Sequence, residues 1–504
     1  MSSKQVANAF HIYRRLFRYV KYYLPALIIA GVASMLYSGI DAWFIYFLKP
    51  LLNDGLVAKN QTFLTYAPFL VLGVFILRGI TSFFSNYYIA AASRGVIMDL
   101  RRDLFKHMQK LPAKYYDQTT SGQMLSIILY GVDQVANASA DVLLTAIQAI
   151  FLIIGLLAVM LSISWKLSLL YFIIIPLVLL VMRIASLRIR RLSLSVQDSI
   201  AELSHCSEEN LEGYKVIRAF QGQEYENNRF AIATNKNRQR EMKIVTARAL
   251  SGSTVQLLSA FALALTLYIA TLDIANDLLS PGGFVALIAA MISILKPMKD
   301  LAFVQNKLYR GLAGAQQVFE VMDEATEHDS GQISITRATG LIEFSHVSFS
   351  YNGSCDALSD VSFTVQPGET IALVGRSGGG KSTLVNLLPR FYEVSSGEIC
   401  LDGIPIHNYR LNDLRKQFAI VSQHITLFHD TIFNNIAYPH VNHATVSEVV
   451  AAAKTAMALP FIEELPKQFD TTIGENGILL SGGQRQRIAI ARAVLKKSAD
   501  FNFR

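Results

Sequence analysis

The stretch that decides the fold of the C-terminal half is Ile371-Ala-Leu-Val-Gly-Arg-Ser-Gly-Gly-Gly-Lys-Ser382, with Thr383-Leu-Val-Asn-Leu-Leu388 behind it. Ile371 to Val374 read as a short buried strand, and Thr383 to Leu388 as a helical run. Between them Gly375, Arg376, Ser377, Gly378, Gly379 and Gly380 form the flexible turn of a GxxxxGKS loop. Glycines let successive backbone N–H groups turn toward phosphate oxygens, and the helix N-terminus adds partial positive charge. Lys381 then reaches the β- and γ-phosphates of ATP, Ser382 ligates Mg2+, and Thr383 completes the cradle. A chance match in a tight turn is the bland alternative, and the strand-loop-helix setting argues against it.

Three further features lie at spacings such a nucleotide domain needs. Tyr351 follows the strand Leu341 to Ser350 and is placed to stack on adenine, although an aromatic at a strand end more often belongs to a core. Gln423 ends the strand Phe418 to Ser422, where its amide is placed to meet magnesium and the attacking water. Leu480-Ser-Gly-Gly-Gln484 opens a helix over Arg485 to Lys497, so Ser481, Gly482, Gly483 and Gln484 gather at an anion-suited N-terminus. Upstream, Asp323-Glu-Ala-Thr-Glu-His-Asp-Ser-Gly331 is polar and reads as a linker over residues 323–339, so a domain of alternating strands and helices occupies 340–504.

The N-terminal half has another chemistry. The chain is 52% hydrophobic and 17% charged, which excludes an ordinary soluble enzyme for the whole of it. Six apolar stretches match the ~20 helical residues that cross a hydrocarbon core. They are Leu24 to Leu48, Phe63 to Ala92, Val142 to Ile163, Leu167 to Leu187, Val255 to Leu272 and Phe284 to Phe303. Residues 1–23 have no cleavable leader pattern, and their aromatics alternate with Arg14, Arg15, Arg18 and Lys21 as in an interfacial helix. Lys and Arg number 5 in 1–23, 6 in 93–141 and 11 in 188–250, against Lys49, Lys59 and Lys166 in the other loops. That asymmetry predicts a cytoplasmic N-terminus and a cytoplasmic nucleotide domain. The net charge of +8 is concentrated beside these segments, so anionic lipid rather than nucleic acid is the expected partner. Cys206, Cys355 and Cys400 fit no disulfide or zinc pattern and read as inert thiols.

No proline separates Pro176 from Pro281, so the fourth and fifth spans are expected to continue as long helices into the cytoplasm. They turn near Glu208 to Arg218, and a shorter inner loop turns near Pro112 to Gly122; both are candidates for coupling contacts, with plain linkers as the alternative. Arg78 lies inside the second span, where an unpaired charge costs roughly 2.5–3.5 kcal/mol. Lys296 and Lys299 flank Pro297 on the sixth span. The three cations suit an anionic lipid headgroup, while a structural pair between Arg78 and Asp41 is the competing reading, and both remain open.

Taken together, the chain resembles ABC transporters: it carries their Walker A loop (Gly375 to Ser382), Q-loop glutamine (Gln423) and signature sequence (Leu480 to Gln484) in order. The resemblance implies a six-helix exporter domain over 24–322, a P-loop nucleotide domain, and a homodimer in which Ser481 and Gly483 face the other copy's ATP. Glu212-Gly-Tyr-Lys-Val-Ile-Arg-Ala-Phe220 and the membrane half resemble the lipid A flippase branch, which implies ATP-driven lipid export at a bacterial inner membrane. A multidrug exporter is the close alternative. The family pattern continues with a Walker B aspartate, a catalytic glutamate and a switch histidine. This sequence reads Lys496-Lys-Ser-Ala-Asp-Phe-Asn-Phe-Arg504 at that place. Asp500 lacks the preceding apolar strand, and His424 and His429 are misplaced for the switch. The expectation is a truncated domain without the Walker B strand, impaired in hydrolysis, with a non-catalytic product of a shortened gene as the other reading.

Overall fold

The computed structural model of the chain describes residues 3–136, 142–275, 279–351, 353, 355–376, 378–496 and 500–503. It divides into two compact units, one made of residues 1–109 and 122–323, the other of 110–121 and 324–504.

Among the described residues of the first unit, six helices are long and apolar enough to cross a membrane: Arg14–Val57, Gln61–Met108, Leu144–Ile163, Trp165–Glu212, Gln223–Ile269 and Pro281–Leu301. The helix Leu24–Pro50 carries the apolar part of the first span, and the amphipathic helix Ser3–Val20 leads into it through a single 3-10 turn at Lys21–Tyr23. Its Arg14 and Arg18 are exposed, whereas Arg15 pairs with Asp323 at 2.6 Å and lies 4.3 Å over the Phe319 ring. Small residues bring the helices together. Ala30, Ala33, Ser34, Ser38 and Ala42 of the first span are buried, Ser34 shares a hydrogen bond with Ser85 of the second at 2.6 Å, and a side chain on Gly155 would meet the Cβ of Ala42 at 2.8 Å. Between helices in lipid no hydrophobic driving force acts, so close backbone approach and hydrogen bonds take its place. Leu156, Met160, Leu287, Met291 and Ile294 fill the centre, while Ile173 is 75% exposed and Phe69, Phe83 and Phe261 point outward too. An apolar exterior over a packed interior is what a bilayer permits and water does not.

The proline-free stretch does form two long helices, Trp165–Glu212 of 48 residues and Gln223–Ala275 of 53, joined by the short helix Tyr214–Ala219. At ~1.5 Å per residue each exceeds ~70 Å, more than twice a hydrocarbon core.

In the second unit β1 (Ile342–Phe349), β2 (Leu358–Val365), β3 (Ser396–Leu401) and β4 (Ile404–Pro405) form an antiparallel sheet in the order β2-β1-β3-β4. Phe344 pairs with Phe363 across β1 and β2, their rings stacked at 4.6 Å. β5 (Phe418–Val421) and β6 (Asp500–Phe503) form a separate parallel pair. One expectation is corrected here. Ile371 to Val374 is not a strand: a strand needs ladder partners, none is present among the described residues, and Val374 is 90% exposed. After the signature helix the short strand β6 begins at Asp500 and pairs in parallel with β5, and no apolar strand intervenes between that helix and Asp500 among the described residues. Asp500 pairs with Phe418 at the start of β5, the end away from Gln423.

Candidate functional site

The phosphate loop is built by glycines that no other residue replaces cheaply. Gly378 and Gly380 have φ of 81° and 77°, and a Cβ on Gly380 would sit 2.4 Å from the carbonyl oxygen of Ala357. The helix Lys381–Leu387 starts directly after Gly380, two residues earlier than the apolar pattern alone places it. Gly379 donates its N–H to the carbonyl of Arg376 at 3.1 Å, which closes the turn. Lys381 folds back over it, its Nζ donating to the carbonyls of Gly375 at 3.0 Å and Arg376 at 2.8 Å. The ammonium is thus held at the mouth of a loop whose own carbonyls are its partners, and phosphate oxygens are stronger acceptors for it. This donor set fits a nucleoside triphosphate. Ser377 lies outside the described residues.

Tyr351 belongs to the same site. Its hydroxyl shares a hydrogen bond with Thr383 Oγ1 at 3.0 Å, and its ring stands edge-on to Phe349 at 4.8 Å and to Tyr392 at 5.2 Å. Ser382 is half-buried beside Lys381. Gln423 is exposed just beyond β5. The signature helix runs over Gly482–Leu495, with Ser481 as its N-cap: Ser481 Oγ accepts from Gln484 N at 3.3 Å and Gln484 Oε1 accepts from Ser481 N at 2.8 Å. This capping box fixes the loop and leaves Gly482 and Gly483 in the first turn, with their N–H groups at the positive helix end. Among the described residues no hydrogen bond joins Gln423 or Ser481 to the phosphate loop of the same chain.

The inner loop expected near Pro112 to Gly122 carries the short helix Ala113–Gln118 and belongs to the nucleotide-binding unit. Tyr392 donates its hydroxyl to Asp117, burial followed by that carboxylate pushes the Tyr392 phenol up from its ordinary pKa, and Glu327 N donates to Lys110 O at 2.8 Å. Arg415 grips Glu327 with two hydrogen bonds of 2.7 Å. Tyr392 and Glu327 line a cavity of 310 Å³ together with Pro112, Lys114 and Tyr351. Sequence reasoning missed Tyr392, because an aromatic 41 positions from Tyr351 has no periodic signal linking the two.

In the membrane unit a second cavity of 520 Å³ is lined by Tyr37, Asp41, Arg78, Gln148, Lys296 and Asp300, among others. Arg78 Nε lies 2.6 Å from Asp41 Oδ1, and its Nη2 donates to Asp41 Oδ2 at 3.2 Å and to Tyr37 Oη at 3.1 Å. Arg78 and Lys296 therefore share one cavity, while Lys299 is not among its lining residues. Tyr37 went unnoticed in the sequence, though its position one helical turn before Asp41 puts the two on one face. Cys206, Cys355 and Cys400 are free, Cys206 buried and Cys355 exposed. No cluster of metal-ligating side chains occurs among the described residues.

Residues 27–298 match the ABC transporter transmembrane region, and residues 358–499 match the ABC transporter family. The chain belongs to the ABC transporters. It is 46% identical over 487 residues to the ATP-dependent lipid A-core flippase of Coxiella burnetii, covering 96% of this chain and 82% of that protein. It is 45% identical over 488 residues to the protein of that name in Haemophilus influenzae, covering 96% and 83%. The Yersinia pestis flippase shares 42% over 497 residues, or 98% and 85%. As an ABC exporter, this chain is a multi-pass membrane protein whose second unit is an ATP-binding domain.

Proposed function

We propose that this ABC transporter moves a lipid A-core-like lipid across a bacterial inner membrane, driven by ATP held at Gly375 to Thr383. The observation that carries the reading is the cavity where Arg78 and Lys296 line an otherwise membrane-embedded space, in a chain whose relatives are lipid A-core flippases. Cations at membrane depth are costly, so their retention beside a cavity is best accounted for by an anionic headgroup. Lys299, near the same end of the sixth span, is assigned to the approach of that headgroup.

Several finer assignments follow from the same reading. Tyr351 stacks on adenine, Lys381 neutralises the β- and γ-phosphates, and Ser382 with Gln423 holds Mg2+, whose charge offsets that developing on the transferred phosphate. Ser481, Gly482, Gly483 and Gln484 serve the nucleotide of a second copy, so the working unit is a homodimer. The arm tip supports this: Leu211 and Phe220 are 77% and 81% exposed, and Tyr214 and Val216 are exposed as well, an apolar surface outside the membrane that calls for a protein cover. The N-terminus and the nucleotide domain lie in the cytoplasm, as the distribution of Lys and Arg requires. Residues 24–322 form the membrane domain, 323–339 the linker and 340–504 the nucleotide domain.

The test uses the protein in nanodiscs, with a fluorescent ATP analogue and lipid A-core as ligands. Lys381→Ala is expected to weaken nucleotide binding at least tenfold with lipid binding intact, and Arg78→Ala to weaken lipid binding with nucleotide binding intact. Lipid A-core binding unchanged by substitution of both Arg78 and Lys296 would overturn the assignment of substrate.

A further inference from the structure

The membrane cavity holds two cations, Arg78 and Lys296, but also two carboxylates, Asp41 and Asp300, so its formal charge is balanced. A cavity for an anion would be expected to keep its arginine available. Arg78 is instead occupied: besides its contacts with Asp41 and Tyr37, its guanidinium lies 5.3 Å from the Tyr37 ring centroid and 5.7 Å from that of Phe75. The pairing is close without being complete. Nε approaches Asp41 Oδ1 to 2.6 Å but is not aligned for a hydrogen bond, and it remains a buried donor without an acceptor. Buried side-chain donors are mostly hydrogen-bonded, so one that is ion-paired but poorly aligned is open to a better-placed acceptor.

We infer that Asp41 is a displaceable counter-ion that makes the grip of Arg78 on an anionic headgroup reversible. The inference rests on the proposed lipid-binding role of this cavity. When the cavity is empty, Asp41 keeps the arginine charge paired inside an apolar helix bundle, where an uncompensated guanidinium is unfavourable. When a phosphorylated headgroup enters, its several acceptor oxygens take Nε and Nη2 together, which one carboxylate in this geometry does not. Asp41 is then left without its partner, and that cost is subtracted from the affinity of the lipid. The same cost is recovered when the headgroup leaves and Asp41 takes Arg78 back. A transporter must release its cargo, so a weakened grip serves turnover where a free arginine would hold on. Asp41 acts through Arg78 and is a positioning residue that sets affinity and discrimination.

Removing the carboxylate therefore has a counter-intuitive expected result: tighter binding. In detergent-purified full chain, the Kd for lipid A, measured by titration under native mass spectrometry, is expected to fall about tenfold in Asp41→Asn, the scale of one charge-assisted hydrogen bond. The off-rate should slow by a similar factor, and the Kd for zwitterionic phosphatidylethanolamine should not change. Asp41→Glu, which restores a carboxylate, should return the lipid A affinity toward wild type. Asp41→Ser removes the charge by another route and gives the same reading if the Asn variant fails to accumulate. Weaker or unchanged lipid A binding in both neutral variants, with Arg78→Ala still damaging, would overturn this inference alone. Binding indifferent to Arg78→Ala would instead remove the lipid-cavity reading beneath it. Inorganic phosphate separates a lipid from a soluble ligand: displacement of lipid A by millimolar phosphate would overturn the lipid assignment, and its failure to compete supports it.

Discussion

Asp402 offers a quantitative test of how the linker is fixed to the nucleotide domain. It sits at φ 53° in the turn between β3 and β4, and its carboxylate collects four donors from the end of the linker. Oδ1 accepts from Thr339 Oγ1 at 2.5 Å and from the N–H groups of Gly340 and Leu341 at 3.0 Å, while Oδ2 accepts from Thr339 N at 2.7 Å. Asp402→Ala removes all four and forces alanine into a left-handed conformation. At about 1 kcal/mol per net hydrogen bond, roughly halved because water reaches the site, plus about 1 kcal/mol of backbone strain, the loss is about 3 kcal/mol. Asp402→Asn keeps a carbonyl at the Oδ1 position and a side chain that tolerates positive φ, so its cost is about 1 kcal/mol. For a unit of this size 1 kcal/mol moves Tm by about 2–4 °C, so calorimetry should show a fall of about 10 °C for Ala and about 3 °C for Asn. The pH dependence supplies a second reading. Burial pushes the Asp402 carboxyl up, yet the Thr339 hydroxyl and the backbone N–H groups outweigh it and hold its pKa below the usual range. The contribution is therefore complete above the unfolded value of about 3.9 and lost as pH falls through the lower folded value. The Tm gap between wild type and Asn should close on acidification below about pH 4. An Ala variant that melts with wild type, or a gap indifferent to pH, would refute the reasoning.

Other consequences can be checked with the same preparations. A Cβ at Gly380 meets Ala357 O at 2.4 Å and Leu358 Cδ2 at 2.7 Å, whereas one at Gly378 meets nothing within 4 Å. Gly380→Ala should abolish binding of the ATP analogue, and Gly378→Ala should weaken it only by the factor of about five that backbone strain of ~1 kcal/mol allows; equal effects would contradict the steric account. Tyr392→Phe deletes the donor to Asp117 while keeping the ring against Tyr351. Hydrogen exchange over residues 110–121 should then accelerate about tenfold with little change in nucleotide affinity, and unchanged protection would show that the hydroxyl does not hold the loop.

Much of the nucleotide site was legible in the sequence because its signals are local. Gly375 to Ser382 must combine left-handed glycines with a lysine that reaches back over them, and that requirement is met within eight consecutive residues. Ser481 and Gln484 are likewise a capping box readable at a spacing of three. The spans were legible because hydrocarbon demands long apolar runs and permits few charges. The two long arms follow from the absence of proline between Pro176 and Pro281.

What pattern did not settle were relations between distant residues. An apolar run such as Ile371 to Val374 becomes a strand only where neighbours complete its ladder, so its state depends on residues far from it in the chain. Whether Arg78 was free or paired could not be read from spacing, since Asp41 lies on another helix and the distance between them is set by how small residues such as Ser34 and Ser85 let those helices approach. Local chemistry thus wrote the phosphate loop, the signature cap and the membrane spans into the sequence. Only tertiary packing decided which carboxylate meets the buried arginine and which aromatic ring stands beside Tyr351, because those contacts are made between elements and each is fixed by the shape of the others.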